Sequence, residues 1–102
     1  MPVLWSMEYD IPKDEQAHAR YLKYIFDEGQ SCRVMDACEK LNAKLNVWSD
    51  GLGHIMMTIE FENMAQHAAL FEDAEWRKGL FQTSRLVDNV STRLMRPAGE
   101  SS

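Results

Sequence analysis

The sequence predicts an α+β domain in which strand, helix, strand, strand, helix and strand follow one another, giving an antiparallel four-stranded sheet with helices on one face. Three observations predict it. Val3, Trp5, Met7, Tyr9 and Ile11 alternate with mixed positions, and so do Ile55, Met57, Ile59 and Phe61 within Gly53–Glu62, which is the period-2 pattern of half-buried strands. After each of these strands, apolar residues recur three and four apart, the pattern of helices with one buried stripe. The turn-rich run Ser49-Asp50-Gly51-Leu52-Gly53 lies just ahead of the clearest strand, where an antiparallel hairpin needs it.

The first strand is closed by Pro12. Asp14 and Glu15 come next, acids where a helix N-terminus favours negative charge, so a helix starts close to residue 13. Ala17, Tyr21, Tyr24, Ile25 and Glu28 form its inward stripe, which carries two tyrosines. Gly29 interrupts the pattern and Ser31 is placed to cap a second helix. Cys32, Met35, Cys38 or Glu39, and Leu41 or Asn42 continue a weaker stripe. The reading is two helices, 13–28 and 31–42, with a single bent helix as the alternative. Leu45 and Val47 form the apolar side of a short strand. Asn63 caps the next helix, with Gln66 three residues on in capping-box register. Met64, His67 or Ala68, and Phe71 make a first stripe, the helix breaks near Glu72-Asp73, and Trp76, Leu80, Thr83 and Val87 make a second. Ser91–Arg96 is a last strand whose register the pattern does not define. The domain is expected over 1–96, with a flexible tail over 97–102.

At 102 residues a chain buries roughly 65% of its unfolded surface, enough for one modest core. Eleven basic against sixteen acidic residues give a net charge of -5, which repels phosphate backbones and excludes nucleic acid as the expected partner. No apolar run reaches the roughly 18 residues of a membrane span, and the N-terminus lacks a signal-peptide pattern. The expected location is therefore cytoplasmic, without a membrane partner. Cys32 and Cys38 lie six apart in a helical stretch, on opposing sides of the cylinder, and are read as free thiols.

The order of elements is that of a ferredoxin-like βαββαβ fold, and the chain resembles the dimeric α+β barrel superfamily, to which antibiotic biosynthesis monooxygenase-like proteins belong. The most particular local feature is the broken second helix FEDAEWRKGL, residues 71–80. The resemblance implies a homodimer whose sheets pair back to back, and a ligand pocket between sheet and helices lined by Trp5, Tyr9, Tyr24, Met57, Phe71 and Trp76. It also implies a range of activities: cofactor-free monooxygenation of aromatic polyketides, haem degradation, and lactone or aldoxime chemistry. Haem-degrading members use an asparagine in the first strand and a histidine in the second helix. Here the first strand offers Glu8 and Tyr9, and residues 77–90 hold no histidine, so haem ligation by that route is not expected.

No cofactor and no metal are called for, because no ligand-spaced motif occurs. Two readings of function stay open. In the first, the chain binds a small apolar or aromatic molecule, with monooxygenase-like or isomerase-like chemistry as the furthest extension. In the second, it is a non-enzymatic dimerisation or regulatory module whose aromatics are only core. On the mixed face of the sheet, His54, Glu60 and Glu8, with Arg93, could form an acid/base or metal cluster, but a polar dimer interface or a solvated face is the preferred reading. Aromatics on a sheet face can also stack RNA bases; here that face bears glutamates, which excludes it.

Overall fold

A computed structural model describes residues 1–99 and arranges them as β1 (Val3–Asp10), α1 (Glu15–Leu22), one π-helical turn (Lys23–Asp27), α2 (Gln30–Lys40), β2 (Lys44–Ser49), β3 (His54–Phe61), α3 (Met64–Phe71), α4 (Ala74–Arg85) and β4 (Asp88–Met95). The strands form one antiparallel sheet in the order β2-β3-β1-β4. This is the ferredoxin-like α+β arrangement expected from the sequence. Of the expected tail, residues 100–102 lie outside the described residues.

β1 and β3 form the centre because each has a continuous apolar side. Their register pairs Val3 with Phe61, Trp5 with Ile59, Met7 with Met57 and Tyr9 with Ile55. Val3, Trp5, Met7, Tyr9, Ile59 and Phe61 are all buried under the helices. Ser6 is buried too, since it sits in mid-strand between both neighbouring strands.

The helix ends follow elementary capping chemistry. Asp14 accepts a hydrogen bond from the Ala17 amide at 3.0 Å, and Asn63 accepts one from the Gln66 amide at 3.0 Å. The Gln66 side chain in turn accepts from the Glu62 amide and donates to the Leu41 carbonyl. Asp73 caps α4 through the Glu75 amide, so the acidic break at residues 72–73 is a second helix start.

Four details depart from the sequence reading. The chain enters α2 through Gly29, at φ 81°, where glycine carries no Cβ penalty; Ser31 already lies inside the helix and caps nothing. The buried stripe of α2 is Gln30, Val34 and Cys38, while Cys32 and Met35 are exposed. Counting only apolar residues misplaces the stripe, because the buried position at its head is a hydrogen-bonded glutamine. Val47 is 60% exposed, since β2 is an edge strand that the helices cover only near Leu45. β4 begins at Asp88 instead of Ser91 and has no buried side chain, so no alternation marks it. Its register against β1 pairs Leu4 with Met95, Ser6 with Arg93 and Glu8 with Ser91, and shifts between Glu8 and Asp10.

The helical layer closes over one end of the sheet by aromatic packing. Trp5 meets Phe71 edge-on at 5.0 Å and Trp76 at 6.4 Å, and Phe71 meets Trp76 at 5.8 Å. His67 stacks on Phe71 at 4.3 Å. α2 and α4 touch where Gln30 lies over Gly79, so closely that a Cβ on Gly79 would stand 2.6 Å from Gln30 Nε2. Gln30 is held there by two bonds, its Oε1 accepting from Tyr24 Oη at 3.2 Å and from Arg33 Nε at 3.1 Å.

Two opposing effects meet at this contact. Alanine in mid-helix is worth about 1 kcal/mol over glycine, whereas displacing an anchored buried side chain costs about 1–3 kcal/mol. Gly79→Ala is therefore expected to destabilise the protein, and to stabilise it once Gln30 has been changed to Ala. Urea midpoints of the four proteins in this double-mutant cycle check the reversal of sign.

Candidate functional site

The other end of the two-layer core is not filled. Between β1, β2 and β3 below and the π-helical turn, α2 and α4 above lies a cavity of about 320 Å³, at the lower end of the range for small-molecule sites. Its floor is the apolar side of the sheet: Met7, Tyr9, Leu45, Val47, Ile55 and Met57. Its roof is Tyr21, Ile25, Val34, Leu80 and Thr83, with Phe26 and Met35 at the mouth.

The wall is apolar apart from a few groups. Thr83 is turned inward to its own helix, donating to the Gly79 carbonyl at 2.8 Å. Gln30 is occupied by Tyr24 and Arg33. The two tyrosines join sheet to helix: Tyr9 Oη and Tyr21 Oη are 2.6 Å apart, and the rings meet edge-on at 5.8 Å. Both residues are at least nine-tenths buried. Burial raises the pKa of both hydroxyls, and for Tyr9 the bond to Tyr21 raises it further. They are neutral phenols at physiological pH, able to donate or accept a hydrogen bond but not to act as bases. Cys38 stands nearby in α2, its thiol pushed up to about 11 by burial, and is an inert packing group.

Of the six residues the resemblance placed at a ligand pocket, the structure brings two to this cavity, Tyr9 and Met57. Trp5, Phe71 and Trp76 come together at the opposite end, in the packed aromatic core. Tyr24 sits outside the cavity, its hydroxyl on Gln30 and its ring 5.7 Å from the Arg33 guanidinium carbon. Tyr21, Ile25, Val34 and Leu80 join the site although the resemblance does not point to them. Tyr21 and Ile25 belong to the inward stripe of the first helix, but nothing in one chain's periodicity says which inward residues face a void.

The outer face of the sheet carries a second arrangement. His54 lies between two carboxylates, Nε2 to Glu8 Oε1 at 3.0 Å and Nδ1 to Asp10 Oδ1 at 2.7 Å. Asp10 also accepts from Asn89 Nδ2 at 2.8 Å. The register explains the grouping, since Asp10 pairs with His54 directly and Glu8 lies one step along the same face. Glu60 is not part of it: it pairs with Leu4 and Lys44, six residues or roughly 20 Å along the strand. Arg93 pairs with Ser6. The hydrogen bonds to Glu8 and Asp10 raise the pKa of His54, and those Asp10 accepts from His54 and Asn89 lower its own. The cluster is a half-exposed ion-pair network. Among the described residues no group of three or more His, Cys, Asp or Glu side chains is arranged to hold a metal, and no helix is long and apolar enough to cross a membrane.

No protein-family model matches the sequence, and no curated protein sequence matches it. Solved structures do. Rv0793 from Mycobacterium tuberculosis is 12% identical and superposes with a TM-score of 0.70 over 100% of both chains. SnoaB, a cofactor-independent oxygenase from Streptomyces nogalater, is 8% identical with a TM-score of 0.66, over 98% of this chain and 96% of its own. A NIPSNAP family protein from Agrobacterium tumefaciens is 18% identical with a TM-score of 0.59, over 98% of this chain and 89% of its own. The chain thus has the ferredoxin-like α+β fold of antibiotic biosynthesis monooxygenase-like and NIPSNAP proteins, and at these identities the likeness is one of fold.

The histidine network makes stability depend on pH. The pKa of His54 is raised above its usual 6.5 by its carboxylate partners. Its stabilising contribution is complete below about pH 6.5 and is lost as pH rises through the raised value. Urea midpoints from pH 5 to 9 are expected to fall more steeply for the native protein than for His54→Asn; parallel curves would show that the network contributes nothing.

Proposed function

We propose that the protein binds a small, largely apolar molecule in the cavity between the sheet and its helices. The observation that carries this reading is the cavity itself: an apolar space of about 320 Å³ left between the sheet and the helices at one end of the core. Packing a core this small to completion adds stability, so an apolar space of ligand size with a tyrosine pair in its wall favours a binding role over a purely structural one. The fold shared with a cofactor-independent oxygenase is compatible with chemistry on the bound molecule. The raised pKa values of Tyr9 and Tyr21 favour hydrogen bonding to a ligand over proton abstraction by these two groups.

Dimerisation belongs to the same proposal. The outer face of the sheet is mixed, with Leu4 and Met56 half-buried and Trp48 and Met95 exposed by 56% and 45%. They form two pairs across the strands, Leu4 beside Met95 and Met56 beside Trp48, apolar spots on a mixed face that call for a cover. A second copy placed back to back would supply it and would enclose the His54 network within the interface.

N-phenyl-1-naphthylamine, a neutral apolar fluorophore, is expected to bind one site per chain with a rise in emission. Leu80→Trp, which fills the space from the roof, should weaken it about tenfold. Absence of binding to the native protein, or an unchanged affinity in the variant, would remove the cavity as a site. Sedimentation at micromolar concentration is expected to show a dimer that Met56→Glu converts to a monomer; a monomeric native protein would refute the interface.

A further inference from the structure

The geometry points to a neutral carbonyl compound with a flexible alkyl chain, such as an alkan-2-one, aldehyde or ester, as the ligand class of this cavity, an inference that rests on the binding role proposed above. Three observations carry it.

The first is a proton. Two buried hydroxyls, Tyr9 and Tyr21, share a single hydrogen bond. One proton lies in that bond, and the other has no acceptor among the described residues. A buried donor left unmade is costly, and an oxygen with a free lone pair on the ligand would relieve it. The second observation is charge. No Asp, Glu, Lys, Arg or His lines the cavity; Arg33, on α2, is engaged with Gln30 and the Glu28 carbonyl. A carboxylate or other anion would lose its hydration there without a counter-ion, so the acceptor oxygen belongs to a neutral group. The third is the shape and softness of the wall. The aromatic residues that could have formed a flat slot, Trp5, Phe71 and Trp76, are packed elsewhere. Apart from the tyrosine pair, Phe26 at the mouth and the polar Gln30, Ser31 and Thr83, the cavity is walled by methionine and aliphatic side chains, which adapt to a bending chain better than to a rigid plane. Its mouth continues this surface outward: Phe26, Met35 and Val47 line it while being 63%, 59% and 60% exposed. Such an apolar collar suits a chain that runs from the tyrosine pair to the rim.

The test is displacement of N-phenyl-1-naphthylamine by 2-octanone, 2-decanone, decanoate and 9-fluorenone, a rigid flat ketone. Each methylene buried is worth roughly fourfold in affinity, so 2-decanone is expected to bind roughly fifteenfold more tightly than 2-octanone. It should also bind more tightly than decanoate and 9-fluorenone. Replacing both tyrosines, in Tyr9→Phe with Tyr21→Phe, removes donor and acceptor together and preserves shape, which folding tolerates. In that variant the affinity for 2-decanone relative to that for the fluorophore is expected to fall about fivefold. If the fluorophore binds but decanoate or 9-fluorenone displaces it better than 2-decanone, or the double variant holds the ketone unchanged, the ligand class is wrong and the cavity reading stands. If the fluorophore itself does not bind, the cavity reading fails and this inference with it.

Discussion

The contact between Tyr9 on the sheet and Tyr21 on the first helix joins the two layers at the end of the core that is not filled. At the opposite end, Trp5, Phe71 and Trp76 meet edge-on, in one buried cluster with Ile59 and Phe61. At the tyrosine end, two phenols in edge contact span the layers. Phenols are long, rigid and polar at the tip, so a pair of them meeting tip to tip braces two layers where branched aliphatic side chains would collapse inward. The cavity is the space beside this brace. It is bounded above by the π-helical turn, a wider coil that appears as single turns, often at functional sites.

The second anchor is Gln30 over Gly79. A buried glutamine is unusual, and here it is made tolerable by bonds from Tyr24 and Arg33 and by the missing Cβ beneath it. It fixes the rotation of α2, which in turn sends Val34 and Cys38 inward and leaves Met35 at the cavity mouth. Roof and rim thus depend on one close packing contact between two helices.

Much of the fold was legible. The alternation of β1 and β3, the helix start beside the acids Asp14 and Glu15, the cap at Asn63 and the break near Glu72-Asp73 are local signals, and local signals survive folding when they agree with the tertiary arrangement. What was not legible is what depends on a partner element. The stripe of α2 turned on a glutamine whose burial needs a glycine 49 positions away. The start of β4 lay in Asp88-Asn89, residue types typical of turns, with Asn89 at φ 57°. The candidate site was half legible. Tyr9 and Met57 were reachable because β1 and β3 are well patterned, and Tyr21 lies on the inward stripe of its helix. Trp5, Phe71 and Trp76 share those patterns, and periodicity alone does not separate an aromatic that fills a core from one that borders a void. His54 and Glu8 fall on one face by alternation, but their partner Asp10 stands at the end of the strand, where it resembles the acids that lead into the first helix.

The two faces of the sheet carry different chemistry. One side is largely apolar and without charged side chains in its cavity, suited to an apolar guest; the other is ionic around His54 and apolar around Met56, suited to a second copy. The most direct measurement is a crystal structure under xenon pressure, since xenon enters dry apolar cavities without needing any polar partner. The expected result is xenon between Met57, Val34 and Tyr21, with the tyrosine hydroxyls still in contact. A core in which Phe26 and Met35 have folded in to fill that space, with no xenon bound, would contradict it.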